Sequence, residues 1–254
     1  MKIRVLGCSG GIGGALRTSS FLVDEDILLD AGTGIGDLSI QDLTKIDHIF
    51  LTHSHIDHIL GIPLIADTLQ GKRIKTIYVY ALKETIQSIK QHIFNWEIWP
   101  DFTILPSKQS PCITFITIHV GQSVCLNNRT ITAIPVDHAV PGVGYLVDSG
   151  DASLVYSGDT TSHPPFWAAL NQAKHLKYLI IETAFMDKEE ALARLAKHYT
   201  PKMLCNDLVT LSSTPEVFIT HLKPDQESLI MQEFTHHSPL QTIKRLTNGD
   251  TLFF

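Results

Sequence analysis

The sequence predicts an α+β fold in which two β-sheets pack face to face and helices cover the outside. Three observations carry that expectation. Short apolar runs bounded by turn residues recur along the chain, as strands do. Runs of strands are followed by helical patterns, and this happens twice. Apolar residues make up 44% and charged residues 18% of 254 residues, which suits a folded chain with a sizeable core.

The elements follow in order. Ile3 to Leu6, Ser20 to Val23, Ile27 to Asp30 and His48 to Thr52 read as strands. A helical stretch near Ile59 to Leu69 comes next, then a strand at Thr76 to Tyr80 and a helix near Lys83 to Ile93. The second series has strands at Ile113 to His119, Thr130 to Val136, Gly144 to Asp148, Ser153 to Ser157 and Tyr178 to Glu182. Helical patterns then occupy Pro164 to Lys174, Lys188 to His198, Pro201 to Leu211 and Asp225 to Thr235, with late strands at Val217 to Thr220 and Thr251 to Phe254. The segment Phe94 to Pro111, with three prolines and two tryptophans, reads as a surface loop. It is either a lid or partner surface, or a plain packed connection. No linker or charge block divides the chain, so residues 1–254 are read as a single domain.

The totals exclude some functions. A net charge of −6 disfavours binding to nucleic acid or an anionic membrane by bulk charge. No stretch reaches the ~18 apolar residues that span a bilayer, and the first residues lack a secretory h-region. Cys8, Cys112, Cys125 and Cys205 are scattered without a CxxC pair. They are expected to be reduced, mostly buried thiols in a cytoplasmic protein.

The 13 histidines are many for this length, and several stand beside aspartate. The apolar strand His48 to Thr52 ends in Thr52-His-Ser-His-Ile-Asp-His58. Alternation or a tight turn there lets His53 and His55 face one ion, and the following turn brings Asp57 and His58 toward another. Imidazole and carboxylate are donors that Zn²⁺, Mn²⁺ or Fe²⁺ accept. A buried strand end carrying these groups is costly without such a partner.

Thr52 to His58 resembles the HxHxDH signature of the metallo-β-lactamase superfamily, and the resemblance runs through nearly the whole chain. It implies an αββα sandwich with metals at one edge of the sheets. Asp30-Ala-Gly-Thr33 is similar to the family's early strand end, whose aspartate supports the metal site. By the same resemblance, Pro135-Val-Asp-His138 supplies the third histidine of the first metal. Tyr156-Ser-Gly-Asp-Thr160 supplies the bridging Asp159, and Ile219-Thr-His-Leu-Lys-Pro224 supplies His221. The implied assignment is His53, His55 and His138 on one ion, Asp57, His58 and His221 on the other, and Asp159 on both. Each lies just past an apolar strand, so all can converge on one rim. Zn²⁺ is the expected pair of ions, with Mn²⁺ or Fe²⁺ as alternatives. Two ions ~3.5–4 Å apart can share a hydroxide and stabilise an in-line displacement at phosphorus.

Finer motifs narrow the substrate, which the fold leaves open. His53 to Ile62 resembles the signature of class II cyclic-nucleotide phosphodiesterases, with Ile56 where Leu is usual. Ile181-Glu-Thr-Ala-Phe185 and Ile219 to Pro224 resemble two further segments of that family. The resemblance implies hydrolysis of a 3′,5′-cyclic nucleotide, cAMP first, to the 5′-nucleotide. Asp57 counts as both ligand and catalytic residue. His163 is the candidate proton donor to the leaving 3′-oxygen, against a plain helix-entry role before Pro164 and Pro165. Glu182 is expected to orient a ligand or a water. Lys223 either meets a phosphate or is a solvated lysine.

Two other readings stand beside this one. Asp137 to Tyr145 resembles the corresponding stretch of tRNA 3′-processing endonucleases. The histidine those enzymes carry beside the glutamate is missing from Glu182-Thr-Ala-Phe185, and there is no long basic arm, so this reading ranks second. A metal-binding protein that does no hydrolysis, such as a diiron redox module, ranks third, because such modules usually carry Glu where His55 stands.

Gly10-Gly-Ile-Gly-Gly14 lacks the dinucleotide spacing and reads as a flexible loop near the metal rim. Asp24 and Asp26 read as a turn. Trp96, Trp99, Phe102 and Phe185 are candidates for stacking on a base, although each is more often core. The expected partner is a small cyclic nucleotide, with neither membrane nor nucleic acid. Nothing specifies an oligomer, and a homodimer stays open.

Overall fold

The first half of the chain builds one seven-stranded sheet and the second half builds another, with the last strand crossing back to the first sheet. The computed structural model describes residues 1–237 and 242–254. The chain opens with β1 (Lys2–Gly7), β2 (Ser20–Val23), β3 (Ile27–Leu29), a 3₁₀ turn at Thr33–Asp37 and α1 (Ile40–Leu43). Next come β4 (His48–Phe50), α2 (Ile56–Ile59), α3 (Gly61–Leu69), β5 (Ile77–Ala81) and α4 (Lys83–His92). A small hairpin, β6 (Pro106–Ser107) and β7 (Ser110–Pro111), precedes β8 (Ile113–Thr117), β9 (Ser123–Leu126), β10 (Arg129–Pro135), β11 (Val143–Asp148) and β12 (Ser153–Tyr156). Then follow α5 (Pro164–Gln172), β13 (Leu176–Glu182), α6 (Glu190–Ala196), α7 (Pro201–Leu208), β14 (Glu216–Thr220), α8 (Glu227–His237), β15 (Ile243–Arg245) and β16 (Thr251–Phe253).

The sheets run β16-β1-β2-β3-β4-β5-β8 and β15-β14-β13-β12-β11-β10-β9. Direction explains how the site assembles. In the second sheet β12, β13 and β14 are parallel, and two antiparallel steps through β11 turn β10 the same way. The carboxyl ends of β10, β12 and β14 therefore lie along one edge, as strand ends that carry sites commonly do. In the first sheet β3, β4 and β5 are likewise parallel.

Three apolar layers hold the sheets. Phe21, Phe50, Tyr145 and Tyr156 pack with Val5 and Ile180 between them. The Phe50 ring stacks on Tyr80 at 4.4 Å and meets Tyr145 edge-on at 5.6 Å. Outside the first sheet lie Ile62 and Ile65 of α3 and Ile86 and Ile89 of α4. Outside the second lie Phe166, Leu204 and Ile230 from α5, α7 and α8. The result is the αββα sandwich expected from the sequence.

Phe94 to Pro111 is a packed connection with an exposed tip. Phe94 and Phe102 are buried in the first sheet's outer core, while Trp96 is 61% and Ile98 65% exposed. The thiol expectation needs correction. Cys8 and Cys205 are buried, but Cys112 is half-buried and Cys125 is exposed, because β9 is an edge strand. Among the described residues, no helix is long and apolar enough to cross a membrane.

The turn after β2 ties the two sheets. Arg129 of β10 donates to Asp26 at 2.5 and 2.8 Å and to Asp24 at 3.3 Å. The hydrogen bond from Arg129 holds the Asp26 carboxyl below its ordinary range. Both partners are partly exposed, so Arg129→Ala should cost only about 1 kcal/mol after solvent screening. Because the folded carboxyl titrates lower than the unfolded one, the contribution is present above the unfolded aspartate range. It is lost as pH falls through the lowered folded value. Urea midpoints of wild type and variant, measured from neutral to acid pH, should therefore converge in acid; a constant gap would contradict the assignment.

Candidate metal centre

The site begins with a buried carboxylate. Asp30, just past β3, is fully buried and left-handed with φ 56°. A buried carboxylate must be satisfied by donors, and four converge on it. The Thr52 amide donates at 2.7 Å and the Thr52 hydroxyl at 2.8 Å, which fixes the chain where it leaves β4. Tyr156 Oη donates at 2.8 Å from the second sheet, and His58 Nδ1 lies at 2.7 Å. The last contact sets the His58 tautomer: Nδ1 carries the hydrogen and Nε2 is turned inward. Asp30 thus aims a histidine without itself joining the cluster.

The strand ends deliver the other groups. His53 and His55 follow β4, and Asp57 and His58 lie in the first turn of α2. His138 follows β10, Asp159 follows β12 and His221 follows β14. Asp159 lies at the centre. Its carboxylate oxygens are 3.3 Å from His221 Nε2, 3.4 Å from His58 Nε2, 3.7 Å from His53 Nε2 and 3.9 Å from His138 Nε2. His55 Nδ1 and His138 Nε2 face each other at 3.1 Å, and His221 Nε2 is 3.2 Å from Asp57 Oδ2. Two glycines make the close approach feasible. Gly158 is left-handed at φ 58°, and a Cβ there would meet Thr52 at 2.8 Å. A Cβ on Gly10 would fall 2.8 Å from His221 Nδ1, so the glycine loop does lie against the rim.

These residues group as metal ligands do. His53, His55, His138 and Asp159 form one set of donor atoms within 4.8 Å, and Asp57, His58 and His221 form another. Buried His53 Nε2 and His58 Nε2, both facing Asp159, have no hydrogen-bond partner. Orphaned imidazole nitrogens around a carboxylate are unfavourable in an apolar rim, and divalent cations satisfy such donors. The residues present fit the group that the sequence implied.

Electrostatics favour the ligating form at three of the histidines. Burial pushes His53, His55 and His138 down, toward the neutral form that ligates. Burial opposes protonation of His58 too, but the Asp159 and Asp30 carboxylates overturn it and raise that histidine. Burial alone would raise Asp57 and Asp159. The His221 hydrogen bond and the His58 and His221 charges together outweigh this at Asp57, and the His221 and His58 charges with the close His58 Nε2 contact do so at Asp159, so both carboxyls lie below their ordinary range.

The remaining expected residues divide. Glu182 is fully buried and accepts from the Thr160 amide at 3.1 Å, but it reaches the cluster only through His198, whose Nδ1 is 2.7 Å from Oε1. His198 also stacks on His221 at 5.4 Å and forms a third donor set with Asp159 and His221. Sequence reasoning missed it. As the expected last residue of a helix, it looked ordinary; the only available signal was its place 16 residues after an unpartnered Glu182. His163 stands at the N-cap of α5 without a side-chain cap bond and joins none of the donor sets among the described residues. Lys223 Nζ is 3.5 Å from the Gly10 carbonyl and 5.8 Å above the Phe185 ring, which in turn is 5.6 Å from His198. Of the four aromatic candidates, the structure places Phe185 at this rim and buries Phe102 in the core.

Residues 25–236 match the family model of the beta-lactamase superfamily domain. A probable 3′,5′-cyclic-nucleotide phosphodiesterase of Yersinia pestis is 28% identical over 253 residues, covering 88% of this chain and 71% of that protein. The ribonuclease Z of Haloarcula marismortui is 32% identical over 159 residues, covering 59% of this chain and 48% of that one. Among solved structures, unliganded yeast PDE1 superposes with a TM-score of 0.84 at 20% identity, covering 100% of this chain and 99% of that one. The metallo-beta-lactamase fold protein YhfI from Bacillus subtilis gives 0.79 at 19%, covering 99% and 98%. At those identities the two structures speak to the fold alone.

Proposed function

We propose, from the premise that this chain belongs to the beta-lactamase superfamily, that it is a two-metal phosphodiesterase acting on 3′,5′-cyclic nucleotides, cAMP first among them. The observation that carries the reading is the pair of donor sets meeting at Asp159. His53, His55 and His138 would hold one ion, Asp57, His58 and His221 the other, and Asp159 both. Zinc suits these donors, with manganese or iron as alternatives. When bound, such ions supply Lewis acidity and a nucleophile at neutral pH.

The chain's own groups do the rest. Asp30 holds the tautomer of His58, and the Lys197 carbonyl holds that of His138. His198 is the proton donor to the leaving 3′-oxygen. Burial disfavours its charged form, but the Glu182 carboxylate outweighs burial and raises it, which favours the imidazolium that a proton donor requires. His163 remains a helix-entry residue. Lys223 meets a phosphoryl oxygen, and Phe185 forms the adjoining wall. Support for a cyclic nucleotide comes from the phosphodiesterase-like segments and from a relative matched along 88% of this chain.

One observation favours the tRNA-processing reading. His198 supplies in space the histidine that the Glu182 stretch lacks in sequence. The ribonuclease Z match, however, leaves about two-fifths of this chain uncovered. The test is turnover of cAMP, cGMP, bis(p-nitrophenyl) phosphate and a tRNA precursor by the zinc-loaded protein. Formation of 5′-AMP, lost on chelation and restored by zinc, is expected. Precursor cleavage without cyclic-nucleotide turnover would make the endonuclease the correct assignment.

A further inference from the structure

Lys197 caps α6 with φ 56° and ψ 55°, left-handed for a residue with a side chain. Glycine or asparagine commonly takes such a cap, so the helix end alone gives no reason for lysine. The conformation turns the Lys197 carbonyl toward His138, whose Nδ1 donates to it at 3.1 Å. The next residue is His198, set 2.7 Å from Glu182, and the Tyr199 amide points at the other Glu182 oxygen at 3.4 Å. Lys197 Nζ closes back at 2.7 Å on Asp137, the neighbour of His138. The reversal is held from behind as well, by the His198 amide on the Ala193 carbonyl at 2.9 Å.

We propose that Lys197 is a positioning residue whose left-handed backbone aims His138 and His198 together. The inference rests on the two-metal reading above. A carbonyl on Nδ1 leaves His138 Nε2 as the lone pair facing Asp159 and His55, the form that ligates. The same reversal places the next side chain against Glu182. One peptide thus couples metal affinity to proton donation, although Lys197 touches neither ion nor substrate.

The test uses three variants of the full chain. Lys197→Val disfavours the left-handed backbone most, Lys197→Ala less, and Lys197→Gly accepts it freely. Zinc affinity is read without substrate, by competition with a chromophoric chelator, and circular dichroism of the metal-free proteins checks the fold. Lys197→Val should lose about tenfold in affinity for one of two zinc equivalents, the size of an outer-shell effect. Its kcat should fall with KM little changed. Lys197→Ala should show the same loss in smaller degree and carries the test if Lys197→Val does not fold. Lys197→Gly should bind as wild type does. Wild-type affinity in Lys197→Val and Lys197→Ala overturns the proposal, as does an equal loss in Lys197→Gly, which would place the role in the side chain. A wild-type protein that binds no zinc would instead remove the two-metal reading beneath it.

Discussion

Asp159→Asn should lower kcat/KM on a diester by on the order of 10³-fold, the scale of losing a principal electrostatic contact at a reacting centre. The substitution keeps the volume of the side chain and removes its charge. That charge faces His53, His58, His138 and His221 within 4 Å, so its loss touches both donor sets. The variant should also retain less than two equivalents of zinc after gel filtration. Full activity with two bound equivalents would show that Asp159 is not shared between the ions.

The second large effect separates two histidines. His198→Gln should reduce kcat for a cyclic nucleotide by about 10²–10⁴-fold, the range of general acid catalysis. On bis(p-nitrophenyl) phosphate the loss should be small, because p-nitrophenolate leaves without needing a proton. Glu182→Gln should follow His198→Gln in weaker form, since the carboxylate orients the imidazole and does not itself donate the proton. His163→Ala should leave both substrates within a few-fold of wild type, because that residue enters a helix and reaches no donor set among the described residues. Loss dependent on the leaving group in His163→Ala, and not in His198→Gln, would reverse the assignment.

These two predictions mark where sequence reasoning reached and where it stopped. His53 to His58 was legible because four potential ligands follow one apolar strand within six residues, a local pattern. His138, Asp159 and His221 were identified through the family resemblance of their segments, since a lone histidine or a Gly-Asp-Thr turn past an apolar strand says little by itself. The strands that went unrecognised are short or lie at edges, such as β15 with three residues and β9 with alternating exposure. The hairpin β6–β7 offers only two residues a side, too few to show a period. His198 was illegible for a different reason. Its role depends on Glu182, which β13 brings beside it, and on the Lys197 reversal, and neither relation is periodic or local. For Lys223 the sequence left a phosphate contact and a solvated lysine equally open, and only the fold shows it resting on Phe185 beside the Gly10 carbonyl.

The claim on which the rest depends is that two ions act at one centre. Metal-free protein should therefore be titrated with zinc while bis(p-nitrophenyl) phosphate turnover and bound metal are followed together. The account predicts that two equivalents bind tightly and that activity appears as the second is taken up. Full activity at one equivalent, or activity with none bound, would contradict it.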